Sequence, residues 1–159
     1  ILPTGNEIIS RAIKDTNTAY LIDAFMRAGF SAQAGDPLPD DVDSVIGAFL
    51  EACAKGYGTV ITTGGTGAEK KDCVIEAILH LDENAATPYT FHFNKGHGRH
   101  VKDGVRLGIG NVDIMRIIAL PGPHKEVKMV TPTLISGLKN NYENTFLANK
   151  MADIIKSVY

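Results

Sequence analysis

Six consecutive residues, Thr62, Thr63, Gly64, Gly65, Thr66 and Gly67, form the segment best suited to chemistry in this 159-residue chain. Three glycines in four positions let backbone amides approach a ligand without obstruction, and glycine accepts the positive φ that turns successive N–H groups inward. A helix expected over residues 72–81 adds unpaired N-terminal amides and the positive end of its dipole, so the loop suits a phosphate. The alternative is a tight strand-to-helix turn with no ligand. It is not a Walker A loop, because no Gly-Lys-Ser/Thr follows Gly64, and the dinucleotide fingerprint spacing is absent too.

Two carboxylates stand at the expected helix starts on either side of that strand, Asp40 before it and Asp72 after it. Such a pair could hold Mg²⁺ against ligand phosphates and so act in catalysis, or serve only as helix caps. Glu69 is a third acid in the loop. Residues 95–106 carry Lys95, His97, Arg99, His100, Lys102 and Arg106 with Asp103 as their only acid. Fixed charges among glycines suit an anionic substrate or a solvated loop, and the histidine spacing is weak for zinc. Lys95, Arg99 and Lys125 are candidate phosphate clamps, and Thr66 a candidate phosphate donor. No Gly-x-Ser-x-Gly elbow is present, and a helix start beside Cys73 does not by itself make a reactive thiol, so covalent catalysis is set aside.

The elements that must position these groups follow from apolar spacing. Residues 15–17 offer caps for a helix carrying Leu21, Ile22, Phe25 and Met26, and residues 30–35 are a short strand at best. A helix beginning at residues 39–41 carries Val42, Val45, Ile46, Phe49, Leu50 and Cys53 and stops at Gly56. Residues 57–63 read as a doubly buried strand. After the loop, Asp72 caps a helix bearing Val74, Ile75, Ile78 and Leu79. Residues 87–93 and 105–109 are expected strands flanking a functional loop, and residues 115–120 a firmer strand ended by Pro121. Residues 124–138 should be helical but kinked or divided at Pro132, and Asn144 caps a final apolar-striped helix. The order is that of a doubly wound α/β sheet, in which ligands bind beyond the carboxyl ends of the strands.

Composition narrows the classes. Apolar residues at 44% and charged residues at 21% describe an ordinary globular chain expected to form a single domain over residues 1–159. A formal charge of −2 argues against duplex nucleic acid as a partner, and no apolar run reaches the ~20 residues that span a bilayer. A cytoplasmic location is the expectation. Cys53 and Cys73 lack ligand spacing and are expected as reduced, buried thiols. Residues 1–3 look like the stub of a strand, so upstream residues are expected to be missing.

The segments TGNEII at 4–9, DTN at 15–17, PDD at 39–41, TTGGTGAEKKD at 62–72 and LPGPHKEVKM at 120–129 together resemble the molybdopterin-binding domain family. That family is shared by enzymes that adenylylate molybdopterin, enzymes that insert molybdenum, and the amino-terminal part of CinA-like proteins. The resemblance implies a three-layer α/β/α domain with a mainly parallel, mixed sheet. It places a molybdopterin phosphate at the glycine loop, aligns Asp40 and Asp72 with acidic positions near the active site, and adds Pro121 and Gly122 to the site. It also implies a self-associating protein. The reading placed first is a protein of molybdenum cofactor biosynthesis in which Mg²⁺ and ATP meet the pterin phosphate for adenylyl transfer. TGNEII, DTN and LPGPHKEVKM look closer to CinA-like proteins, some of which are similar to metal-dependent pyrophosphatases of nucleotide sugars such as ADP-ribose. A non-catalytic pterin- or nucleotide-binding module is the other class. His124 and Ala68 stand where the family usually has proline, and Val74 where threonine is common.

Overall fold

Alternation of side chains along a strand gives a buried strand two apolar faces, and the central strands of this chain are apolar on both. The computed structural model describes residues 1–93 and 98–159. Its elements in chain order are β1 (Leu2–Pro3), α1 (Asn6–Ile9), α2 (Asn17–Arg27), α3 (Val42–Ala54), β2 (Thr59–Thr63) and α4 (Val74–Leu81). There follow β3 (Tyr89–His92), β4 (Gly104–Arg106), β5 (Gly108–Val112), β6 (Met115–Leu120), α5 (His124–Lys139) and α6 (Asn144–Lys156).

The central sheet has the order β1-β2-β6-β5. β1, β2 and β6 are parallel, and β5 joins β6 as an antiparallel hairpin. Ile61, Ile118 and Leu120 face α2, α5 and α6, meeting Leu21, Phe25, Val127, Leu134, Leu147 and Met151. Val60, Ile117 and Ala119 face the other way, against Val45 and Phe49 of α3 and Val74, Ile75 and Ile78 of α4. The result is a three-layer α/β/α fold with a mixed, largely parallel sheet, as expected. Burying one such Ile or Leu contributes roughly 1.5–3 kcal/mol, so the two faces together hold the layers in register. No helix among the described residues is long and apolar enough to cross a membrane.

Several local expectations are corrected. Residues 30–35 form no strand. They are poor in β-branched residues and meet the β1 edge through scattered bonds, Ile1 N–H to Gln33 O (2.8 Å), Gly35 N–H to Ile1 O (2.8 Å) and, just beyond, Leu38 N–H to Pro3 O (2.8 Å). α3 begins at Val42 with Asp41 as its cap, whose carboxylate accepts from Ser44 N–H at 2.9 Å, so Asp40 is not the helix start. α4 begins at Val74, and its cap residue Cys73 makes no side-chain cap bond. Asp72 therefore lies in the loop rather than on the helix. Residues 104–112 are two strands separated at Leu107, the first of which pairs with β3 in a separate two-stranded ribbon. Pro132 does not divide α5, which runs unbroken over 16 residues. The α6 cap is Glu143, accepting from Thr145 N–H, in place of Asn144. Cys73 is buried, but Cys53 is only half-buried.

Candidate functional site

The carboxyl ends of the three parallel strands lie side by side, and each is continued by one of the conspicuous sequence segments. Thr63 ends β2 between Pro3 of β1 and Leu120 of β6. Its carbonyl accepts from Thr4 N–H (2.9 Å) and Thr4 Oγ1–H (3.0 Å), which binds the turn at residues 4–9 to the glycine loop. Gly64 N–H donates to Leu120 O at 3.1 Å. Gly64 and Gly65 both have positive φ, 87° and 68°. A Cβ on Gly64 would lie 2.9 Å from Thr4 O, and one on Gly65 would lie 2.6 Å from Val74 Cγ2. Glycine is required at both for conformation and for contact with the protein beneath the loop. A larger residue at 65 thus meets Val74 before it meets a ligand.

The Gly65 and Thr66 N–H groups find no protein acceptor among the described residues. Gly67 packs against the Asp72 carboxylate, which takes Glu69 N–H on Oδ2 at 2.9 Å. Asp72 thereby closes residues 67–72 into a compact turn. Burial pushes its carboxyl above the usual carboxylate range, opposed by the Glu69 N–H bond and by Lys102. Lys102 donates to Asp72 O and pairs with Glu76 at 2.5 Å. The Cys73 thiol is pushed up to about 11, chiefly by burial, with Asp40 and Glu76 adding to it. A thiol so raised is a poor nucleophile at neutral pH, in keeping with the sequence reading.

The β3–β4 ribbon forms the opposite wall. Val101 N–H and Lys102 N–H both donate to Ala68 O at 3.0 Å, and Arg106 N–H donates to Thr66 O at 3.2 Å. Between ribbon and loop lies a cleft of about 230 Å³ lined by Gly65, Thr66, Gly67, Glu76, Tyr89 and Arg106 among others. Arg106 lies over the Tyr89 ring, 4.3 Å from its centroid, and Tyr89 O–H donates to Asp103 Oδ1 at 2.8 Å.

Of the residues singled out from sequence, Thr63, Gly64, Gly65, Thr66, Gly67 and Asp72 come together here. Pro121 is buried at the end of β6, and Gly122 sits beside Gly64, whose Cα is 3.6 Å from where a Gly122 Cβ would be. Arg99 is exposed and pairs with Glu69 at 3.3 Å. Lys125 does not line the cleft and lies over the Tyr159 ring at 5.4 Å. Asp40 Oδ2 accepts from Asn6 N–H at 3.1 Å, next to the turn that carries Thr4. Lys95 and His97 lie outside the described residues. Among the described residues no group of three or more His, Cys, Asp or Glu could hold a metal ion. A magnesium ion would have to draw most of its coordination from ligand phosphates and water.

Sequence reasoning missed Asn17 and the place of Arg106. Asn17 is buried at the start of α2, and its Nδ2 donates to Gly122 O at 2.8 Å. A carbonyl can only accept, so the amide oxygen must face His124 Nδ1, 2.8 Å away. The Nδ1 atom therefore carries a proton and donates to Asn17 Oδ1. The only sequence signal for this link was the shared occurrence of DTN and LPGPH.

A family model described as a probable molybdopterin binding domain matches residues 1–140. A CinA-like protein of Fervidobacterium nodosum is 35% identical over 167 aligned residues, which cover 89% of this chain and 41% of that protein. A CinA-like protein of Desulfosudis oleivorans is 35% identical over 78 residues, 49% of this chain and 19% of the relative. The chain thus spans less than half the length of these relatives. Among solved structures, the Mog protein of Mycobacterium ulcerans superposes with a TM-score of 0.67 at 16% identity, covering 92% of this chain and 96% of the other. CinA of Thermoplasma acidophilum gives 0.63 at 18% identity, with 88% and 94% covered. At such identities the structural likeness concerns the fold.

Proposed function

The chain belongs to the probable molybdopterin-binding domain family, and on that premise we propose that it binds the phosphate of a nucleotide at the loop of residues 64–67 and acts in the CinA-like manner, on a nucleotide diphosphate. The observation that carries the binding reading is the pair of N–H groups at Gly65 and Thr66, held at a strand–loop–helix junction with no protein acceptor among the described residues. The nucleotide branch is favoured over adenylylation of molybdopterin because the curated relatives named above are CinA-like proteins.

The reaction in this reading is addition of water across the diphosphate of a substrate such as ADP-ribose. Water oxygen bonds to one phosphorus, the bridging P–O bond breaks, and AMP and ribose 5-phosphate leave with the released proton. The Gly65 and Thr66 amides hold the phosphate still and bear part of its growing charge, which is worth most in a partly desolvated cleft. Asp72 keeps the loop in shape through the Glu69 N–H group and its packing against Gly67. A divalent cation, if used, would be held by Asp72 or Asp40 together with the ligand phosphates and would neutralise charge there. The non-catalytic module shares the same binding site and differs only in lacking turnover.

Titration with AMP, followed through the amide ¹H–¹⁵N shifts, tests the site. The expected result is the largest shifts at Gly65 and Thr66. Shifts confined to another surface would overturn the assignment. Product analysis with ADP-ribose plus Mg²⁺, set beside molybdopterin plus Mg-ATP, then separates AMP and ribose phosphate from an adenylylated pterin, and binding without either product marks a module.

A further inference from the structure

Arg106 is the one described side chain lining the cleft that carries a buried, unpaired polar atom. Its Nε is buried and has no hydrogen-bond partner among the described residues. A desolvated guanidinium N–H left unpaired is costly, and more so than a neutral donor. No Asp or Glu among the described residues pairs with it. The other described cation of the cleft, Lys102, is already engaged by Glu76 and the Asp72 carbonyl. The Arg106 side chain is also held in place. Its guanidinium lies over Tyr89, whose hydroxyl is tied to Asp103, and its own backbone N–H is bonded to Thr66 O. A pre-positioned, desolvated arginine donor therefore stands one backbone hydrogen bond away from the free amides of Gly65 and Thr66. Both line the same cleft of about 230 Å³.

Resting on the phosphate-loop reading above, we infer that Arg106 receives the second phosphate of a diphosphate ligand whose first phosphate sits at Gly65 and Thr66. The planar guanidinium suits this role, since its Nε–H and Nη–H can meet two phosphate oxygens in parallel, whereas a lysine would act as a point charge. Lys102 and Glu76 offset one another within the cleft. The arrangement selects a diphosphate over a monophosphate by what Arg106 reaches.

Calorimetric titration of AMP and ADP in EDTA, with no divalent metal, measures this selection. The wild-type protein is expected to bind ADP about tenfold tighter than AMP, the size of one charge-assisted hydrogen bond at the low end. Arg106→Gln should bring the two affinities to within about twofold of each other. Arg106→Lys, which keeps the charge and loses the fork, should recover only about threefold of the preference. Tyr89→Phe keeps the ring under Arg106 and should retain the full preference. Each variant is checked by its thermal transition, and the Lys variant carries the test if the Gln variant does not fold. An ADP preference that is absent in the wild type, or that survives intact in folded Arg106→Gln, overturns the role of Arg106 while AMP shifts at Gly65 and Thr66 keep the loop reading. AMP binding that leaves those two amides unmoved overturns both.

Discussion

Gly67→Ala, made alone and together with Asp72→Ala, tests whether the loop is shaped by one carboxylate. The backbone of Gly67 lies outside the left-handed region, so alanine meets no conformational penalty there. An added Cβ would instead sit 2.5 Å from Asp72 Oδ2, with Cγ at 3.0 Å and Oδ1 at 3.3 Å, and its three nearest neighbours all belong to that one side chain. The carboxylate must move away, giving up the N–H bond it takes from Glu69. Losing one hydrogen bond to a charged group costs about 1.5–3 kcal/mol, while replacing glycine by alanine at a compatible position returns about 0.4–1 kcal/mol. Gly67→Ala should therefore destabilise the fold by roughly 1–2 kcal/mol. In an Asp72→Ala background the clash is gone, and the same substitution should be neutral or stabilising by up to about 1 kcal/mol. Urea denaturation of the four proteins gives the coupling, expected near 2 kcal/mol. Effects that add to within about 0.5 kcal/mol would refute the idea that Asp72 holds the loop.

Gly104→Ala would place a Cβ 2.1 Å from Phe91 O, so it should open the β3–β4 ribbon, cost about 2–4 kcal/mol in denaturation, and abolish the ADP preference along with it. Asn17→Ala removes both the bond to Gly122 O and the bond to His124, and should lower stability by about 1–2 kcal/mol and speed hydrogen exchange at residues 121–126, with unchanged exchange counting against the link. Glu126 is buried, and burial raises its carboxyl above the ordinary value, so the folded state holds a proton that the unfolded chain has released. Its contribution to stability is thus fully present below pH 4.5 and is lost as pH rises through the folded pKa. Glu126→Gln should raise the denaturation midpoint at pH 7 and leave it nearly unchanged near pH 4, and equal effects at both values would reject this assignment. Self-association, expected from the family resemblance, would have to use a surface other than the α6 stripe, since Leu147, Met151 and Ile155 are fully buried in the fold. Light scattering that shows a mass near the 17.1 kDa of one chain at every concentration would reject it.

Local information in the sequence was sufficient for the parts of this protein that depend on period and on glycine. The stripes of α2, α3, α4 and α6 and the doubly apolar β2 and β6 are visible because each buries its own face, and a buried face must recur at the spacing of its element. The glycine loop is visible because no other residue tolerates the φ of Gly64 and Gly65 against Thr4 and Val74. Element ends were less legible. Neighbouring acids compete for the same orphan amides, and only the path of the chain decides that Asp41 caps α3 while Asp72 turns back on Gly67. Residues 30–35 carried too little β-branched character to declare a strand or a loop, and their few bonds to β1 exist only because the sheet edge is there to receive them. The site follows the same division. The loop could be found from its own residues, but the meeting of Asn17 with Gly122 and His124 spans 105 and 107 positions, and Arg106 reaches Thr66 across 40. Charges in a basic stretch look alike in sequence. Only tertiary packing exposes Arg99 and leaves it paired with Glu69, while it buries the Nε of Arg106 in the cleft of Gly65 and Thr66 with no partner among the described residues.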